Sequence, residues 1–195
     1  GTDLQINGDS VVVTTEMAAI YERIGGKVEI SGMTTTGVMG AFRTLITHCE
    51  AREDDLNLMM TGGPDGDLGA NEIQCYKGKI CLIIDGGSIL FDPQGLDRQA
   101  LMKIAFMRHT SPRANTRQFP VDKLSPQGFM VPLAAKNVTL PDGTVVEDGA
   151  LFHRNFLSDP DNRRFISQAD IRAFIPCGGF KDTINRGNVK AFLSV

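Results

Sequence analysis

Apolar residues along the chain alternate between helical spacing and short unbroken runs. Helical spacing appears first at residues 17–24 and more strongly at residues 38–49, where apolar side chains recur every three or four positions. A third helical pattern covers residues 101–107 behind Asp97, which we expect to cap that helix. The pattern therefore predicts amphipathic helices that each bury one face.

The short apolar runs predict strands at residues 28–30, 56–61, 79–85 and 171–175. The run KICLIID at residues 79–85 is too short for a typical buried helix, so we expect a strand covered on both faces. Two further stretches, one of them split by Pro-Asp-Gly, predict a β-hairpin between residues 128 and 149. Strands that alternate with helices favour an α/β fold, a mostly parallel sheet with helices on both faces and this hairpin as an insertion.

The remaining segments are less regular. Turns or loops are expected at residues 50–55, 110–125 and 158–164, and a last short helix is expected to end near residue 193.

Composition places the chain among ordinary globular proteins. Its 195 residues, 42% hydrophobic and 22% charged, suit one domain or a domain with an appendage. A formal charge of -3 leaves no excess of cations for nucleic acid, and the lack of a long apolar run predicts no membrane partner. The four cysteines form no CxxC pair, and the acidic clusters lack the rest of a calcium loop, so we expect reduced thiols and no metal. These features favour an intracellular location, either the cytoplasm or the mitochondrial matrix.

The glycine-rich string GGPDGDLG at residues 62–69 lies between a predicted strand and a predicted helix. A dinucleotide pyrophosphate needs glycine there for a tight turn, close backbone approach and helix packing, and the helix N-terminus supplies N–H donors. The spacing G-x-x-G-x-x-G is one residue longer than the usual fingerprint, and a tight structural turn is the alternative. Asp65 and Asp67 place carboxylates near the pyrophosphate, or else cap helix N–H groups.

Asp85 ends the apolar run 79–85 and lies 19 residues after Gly66. A carboxylate at that place accepts hydrogen bonds from the adenosine ribose hydroxyls and repels a 2′-phosphate, which selects NAD over NADP. The order of strand, glycine loop, helix, strand and acid predicts a Rossmann-like dinucleotide site. The alternative is that Asp85 merely begins a turn with Gly86 and Gly87.

A second site signal is the strand end Pro-Cys-Gly-Gly at residues 176–179, where small residues let a flat ring approach the backbone. A nucleophilic Cys177 needs a base partner, and none of the three histidines has a sequence context that implies one. We therefore interpret Cys177 as a buried, inert thiol.

Four of these segments together resemble the coenzyme-binding domain of the large NAD-dependent glutamate dehydrogenases. They are TTTGV at 34–38, TGGPDGDLGANEI at 61–73, IIDGGSILFDPQGLD at 83–97 and PCGG at 176–179. The resemblance runs from about residue 31 to residue 193 and is weaker before it. Residues 1–30 are accordingly expected to form a helix and strand appendage, and residues 31–195 an NAD-binding domain.

The resemblance implies oxidation of L-glutamate to 2-oxoglutarate and ammonia, with hydride transfer to NAD. Thr36 would lie beside the nicotinamide, residues 65–68 around the pyrophosphate, Asp85 on the adenosine ribose, and residues 177–179 beside the nicotinamide ribose and ring. The implied cofactor-binding residues are Thr36, Gly63, Asp65, Gly66, Asp67, Leu68, Asp85, Gly86, Cys177, Gly178 and Gly179.

The chain also departs from the pattern of that family. In that family, the catalytic and substrate-binding residues belong to a separate domain, and no segment of this chain resembles that domain. We therefore expect the chain to be a fragment of a larger, homo-oligomeric enzyme. The fragment is expected to have no catalytic residues and to be unable to turn over glutamate alone. Two alternatives remain open, a leucine or phenylalanine dehydrogenase and a non-catalytic α/β binding or interaction module.

Overall fold

A computed structural model describes residues 2–6, 9–13, 33–107, 114–178, 186–187 and 189–190. The first two of these segments are strands β1 (Thr2–Ile6) and β2 (Asp9–Val13), which pair antiparallel in a small sheet of their own that the sequence patterns did not predict. The helix predicted at 17–24, the strand predicted at 28–30 and most of the predicted last helix lie outside the described residues.

A five-stranded mixed sheet forms the centre of the fold. Its strands are β3 (Asn57–Thr61), β4 (Ile80–Ile84), β5 (Ser88–Phe91), β6 (Phe129–Pro132) and β9 (Ile171–Pro176). They lie in the order β6-β5-β4-β3-β9, in which β3 pairs parallel with β4 and β9, and β5 pairs antiparallel with β4 and β6. Four of the five strands therefore run in the same direction, which confirms the mostly parallel α/β sheet.

Helices cover both faces of this sheet. Along β3 successive side chains alternate between two hydrophobic clusters, as the pleat of a strand requires, whereas in β4 the consecutive residues Cys81 and Leu82 share one cluster beside a register shift between β3 and β4. One cluster takes up side chains from α1 (Met33–His48), α2 (Asp67–Cys75) and α3 (Arg98–Met107). The other packs beneath α4 (Gly149–Asn155) and α5 (Arg163–Gln168), where Phe156 and Phe165 are fully or almost fully buried.

Several local predictions are confirmed. All five residues of β4 are buried, as the KICLIID run predicted. Asp97 caps α3 by accepting a 2.8 Å hydrogen bond from the backbone N–H of Ala100. The predicted hairpin consists of β7 (Lys136–Thr139) and β8 (Val145–Asp148), joined by a turn in which Gly143 has a φ of 85°. Among the described residues, no helix combines the length and apolarity needed to cross a bilayer.

Besides β1 and β2, the sequence patterns missed β5, α4 and α5. They contain four, seven and six residues, too few for a period to stand out. In β5 all four side chains are buried because the strand lies inside the sheet, so it lacks the alternation of a half-exposed strand.

Candidate functional site

The candidate site lies where the carboxyl ends of the three parallel strands meet. The backbone N–H of Gly62, just after β3, donates to the carbonyl of Ile84 across 2.7 Å, and the N–H of Cys177, just after β9, donates to the carbonyl of Thr61 across 2.7 Å. These two bonds hold the loops after β3, β4 and β9 side by side. Ligands of open α/β sheets bind at the carboxyl ends of the strands, where these loops lie.

Three glycines shape the turn between β3 and α2. Gly62 has a φ of 77°, and a Cβ there would approach the carbonyl carbon of Cys177 to 3.2 Å. At Gly63 a Cβ would lie 2.7 Å from the Cγ2 of Ile83, and at Gly69 it would collide with the carbonyl of Gly63. The turn therefore needs glycine for a left-handed backbone at Gly62, for close packing against β4 at Gly63, and for packing of α2 on the turn at Gly69.

Gly66 is the N-terminal cap position of the nine-residue helix α2 and has no side chain with which to cap it. Its φ is -114°, and a Cβ at this position would lie 3.9 Å from the carbonyl oxygens of Cys177 and Gly63, in ordinary van der Waals contact. The side chain of Leu68 packs toward the core, so only its backbone serves this end of the helix. A helix N-terminus offers N–H donors and positive potential to an anion.

Asp65 does not cap α2, so that expectation is wrong for this residue. Its Oδ1 accepts a 3.0 Å hydrogen bond from the N–H of Gly63, and its Oδ2 accepts one of 2.9 Å from the N–H of Gly86. The carboxylate therefore joins the loops after β3 and β4. Asp67, in the first turn of α2, is exposed.

Asp85 is enclosed by protein, with 0% of its surface exposed. Its Oδ1 accepts from the N–H groups of Gly87 and Ser88 and from the hydroxyl of Thr116, while its Oδ2 accepts a 2.8 Å bond from the N–H of Thr116. Burial raises the pKa of this carboxyl above its usual value, although the hydrogen bonds from Thr116 and Gly87 oppose the rise. Asp85 does begin the turn after β4, and its contact with ribose stays a prediction. Such a contact requires the turn or Thr116 to move from this arrangement.

Thr116 is a residue of this region that the sequence patterns missed. Its hydroxyl lies 2.6 Å from that of Ser88, and it belongs to a short 3-10 helix that opens with a capping box between Asn115 and Gln118. The pattern N-x-x-Q was the signal that could have located this turn. From the opposite side, the Nε2 of His153 lies 2.7 Å from the carbonyl oxygen of Asp85.

A buried pair of side chains lies beneath the strand ends. The Sγ of Cys177 donates to the Oε2 of Glu72 on α2 across 2.9 Å. Cys177 is buried, as predicted, and both this burial and the nearby Glu72 carboxylate raise the pKa of its thiol, which disfavours the nucleophilic thiolate. Burial also raises the pKa of Glu72 to about 7, while the hydrogen bond from Cys177 lowers it. The Oε1 of Glu72 has no partner in the described part of the chain.

The strand ends thus bring together most of the predicted cofactor residues. Contacts join Gly63, Asp65 and Gly86, and others join the glycine turn to Cys177 and Gly178. Gly178 is exposed, has a φ of 117° and borders open space. Thr36 lies half-buried on α1, which packs against α2, and Gly179 lies outside the described residues.

Other features of the surface are less suited to a dinucleotide. A cavity of about 250 Å³, lined by Lys77, Lys79 and Arg98 among others, lies beside Ile80, where β4 begins, and so at the opposite end of that strand. Within the residues that the structure describes, no group of three or more His, Cys, Asp or Glu side chains is arranged to hold a metal ion. The strand ends remain the candidate site.

A glycine turn that leads into a helix N-terminus, at the carboxyl ends of parallel strands, is typical of Rossmann-like α/β domains. The sequence agrees with that class. The chain belongs to the Glutamate/Leucine/Phenylalanine/Valine dehydrogenase family, whose model matches residues 25–195.

Individual relatives make the comparison more specific. The chain is 40% identical over 161 residues to Glutamate dehydrogenase 2 of Dictyostelium discoideum, a match that covers 83% of this chain and 14% of that protein. It is 35% identical over 164 residues to the NAD-specific glutamate dehydrogenase of Saccharomyces cerevisiae, again covering 83% of this chain and 14% of the relative. The chain therefore spans about one seventh of the length of these relatives. These matches confirm the resemblance to glutamate dehydrogenases.

A solved structure supports the fold. The crystal structure of Plasmodium falciparum glutamate dehydrogenase superposes with a TM-score of 0.51, at 10% sequence identity, over 83% of this chain and 32% of that one. At this identity the likeness concerns the fold alone.

Proposed function

We propose that this chain is the coenzyme-binding part of an NAD-dependent glutamate dehydrogenase, which oxidises L-glutamate to 2-oxoglutarate and ammonia. The observation that carries the proposal is the position of the N-terminus of α2, which follows a three-glycine turn at the carboxyl ends of the parallel strands. The names of the relatives support both the coenzyme and the substrate. NAD supplies the acceptor for the hydride that leaves the α-carbon of the amino acid.

The residues at the glycine turn fit a pyrophosphate. The N-terminus of α2 suits two linked phosphates because it carries positive potential and Gly66 places no side chain over it. The carboxylate of Asp65 accepts two backbone N–H bonds, which stabilise its charge and fix its place beside the site. The carbonyl of Cys177 and the backbone of Gly178, which carries no side chain and borders open space, would line the nicotinamide side.

The fit at the adenosine ribose depends on a rearrangement. Asp85 would accept the ribose hydroxyls and select NAD over NADP once Thr116 releases it, since its lone pairs are used by four protein donors here. The pKa of Asp85 is raised while it is enclosed, and solvation on release favours the charged form that repels a 2′-phosphate.

The rest of the reaction belongs to the longer protein. Because the chain spans about one seventh of its relatives, we assign the binding of glutamate and 2-oxoglutarate, and the proton transfers, to residues outside it. On its own the chain is expected to bind NAD without oxidising glutamate. We further propose that the full-length enzyme is an intracellular homo-oligomer.

Isothermal titration of the chain with NAD tests the proposal. The matched variants are Gly66→Ala, whose methyl group would lie at the helix N-terminus 3.9 Å from the carbonyl oxygen of Cys177, and Gly40→Ala, whose methyl group meets nothing on the exposed face of α1. We expect Gly66→Ala to weaken NAD binding at least about tenfold and Gly40→Ala to leave it unchanged. Equal affinity of both variants, or no binding of NAD by the unmodified chain, would contradict the proposal.

A further inference from the structure

We propose that Glu72 is a positioning residue for the nicotinamide half of the coenzyme, because it holds the strand end at Cys177 and Gly178 in place. The inference rests on the proposed function. It adds Glu72 to a binding site that so far consists of the glycine turn, Asp85 and the strand end after β9.

The strand end after β9 lies directly against the glycine turn. A Cβ at Gly62 would meet the carbonyl carbon of Cys177 and the carbonyl oxygen of Gly178, each at 3.2 Å. The carbonyl oxygen of Cys177 also lies 3.9 Å from the Cβ position at Gly66. Small displacements of residues 177 and 178 therefore change the floor of the cleft on the nicotinamide side.

Glu72 fixes this strand end from below. Its Oε2 accepts the thiol proton of Cys177 at 2.9 Å, and the side chain is 0% exposed. The other carboxyl oxygen, Oε1, has no partner within the described residues, an arrangement that costs stability in a buried site. An apolar side chain would suit this core better, so we ascribe the carboxyl group to the placement of Cys177 rather than to packing.

One helix thereby serves both halves of the cleft. Glu72 follows Gly66 by six residues, which is about 9 Å along the axis of α2. The N-terminus of α2 faces the pyrophosphate position, and Glu72 accepts the hydrogen bond from Cys177 at the strand end on the nicotinamide side. The helix therefore keeps the two halves of the coenzyme at a fixed separation.

The test compares NAD with ADP, which reaches only the adenosine and pyrophosphate positions. Glu72→Met keeps a long unbranched side chain and removes the acceptor, whereas Glu72→Gln keeps a carbonyl acceptor for the thiol. By titration calorimetry on the 195-residue chain, we expect Glu72→Met to weaken NAD binding about tenfold and to leave ADP binding within about twofold. Glu72→Gln is expected to bind NAD within about threefold of the unmodified chain.

Cys177 provides a matched pair of variants for the same contact. Cys177→Ala removes the donor to Glu72 and should weaken NAD binding as Glu72→Met does, whereas Cys177→Ser retains a donor and should weaken it less than Cys177→Ala does. Thermal melting of each variant checks that the domain is folded at the titration temperature.

Two results overturn the inference. If Glu72→Met weakens NAD and ADP equally, the role of Glu72 is structural, and if it leaves NAD binding unchanged, Glu72 does not position the strand end. Failure of the unmodified chain to bind either nucleotide would instead overturn the proposed function, and this inference with it.

Discussion

The two ends of the candidate cleft are built in different ways. At the proposed pyrophosphate end, the backbone of residues 62–69 forms the turn that leads into α2, and Gly66 at the helix N-terminus has no side chain. At the adenosine end, the carboxylate of Asp85 is enclosed by Thr116 and by its own turn. A site made of backbone is ready for its ligand as soon as the turn forms. A site made of one side chain depends on which partners that side chain has.

Within the pyrophosphate end, position 69 should be more sensitive to an added methyl group than position 66, and Gly69→Ala tests this. A Cβ at Gly69 collides with the carbonyl of Gly63, whereas a Cβ at Gly66 meets nothing closer than 3.9 Å. Urea denaturation should show a loss of about 3 kcal/mol for Gly69→Ala. Gly66→Ala should cost only about 1 kcal/mol, since alanine is a poorer helix cap than glycine. Equal losses would show that the helix does not pack as closely on the turn as described.

Glu72 gives the same region a pH dependence. Its pKa is raised from 4.5 to about 7, so the folded state binds a proton more tightly than the unfolded state does. Stability from this group is fully present below pH 4.5 and is lost as the pH rises toward 7. We expect the free energy of unfolding to fall by about 2 kcal/mol across that window, relative to Glu72→Gln. Parallel pH profiles of the two proteins would contradict the raised pKa.

The closure of the adenosine end depends on the hydroxyl of Thr116, so Thr116→Val should weaken it. Valine keeps the shape of threonine but removes the hydrogen bonds to Asp85 and Ser88, and we expect a loss of about 1–2 kcal/mol in urea denaturation. The control is Thr47→Val, whose hydroxyl bonds to a carbonyl within α1 at an exposed position and should matter by less than about 0.5 kcal/mol. Similar values for both variants would mean that Asp85 is not held by Thr116.

The sequence predicts the pyrophosphate end well because its determinants are local. The run at 79–85 predicts β4, and the glycine string predicts the turn and the start of α2 within a few residues. Glycine is the residue that permits these backbone angles and contacts, so the backbone shape can be inferred from the letters.

The rest of the site depends on partners that are distant in the sequence. Thr116 follows Asp85 by 31 residues, and Glu72 precedes Cys177 by 105 residues. Neither pairing has a local pattern. Asp65 illustrates the same limit, since its proximity to α2 suggested a cap, but its Oδ2 bonds to Gly86 in the next loop. The side-chain contacts of the site therefore could not be predicted before the fold was known.

The contact between His153 and Asp85 has a consequence for the order of assembly. The glycine turn, α2 and the strands on either side of it come from one continuous stretch of the chain, residues 57–84. The corner at Asp85 also needs Thr116 and His153, which lie 31 and 68 positions further along the chain. These two residues approach from opposite faces of the sheet. Because long loops close more slowly than short ones, this corner should be completed late in folding, after the βαβ unit has formed.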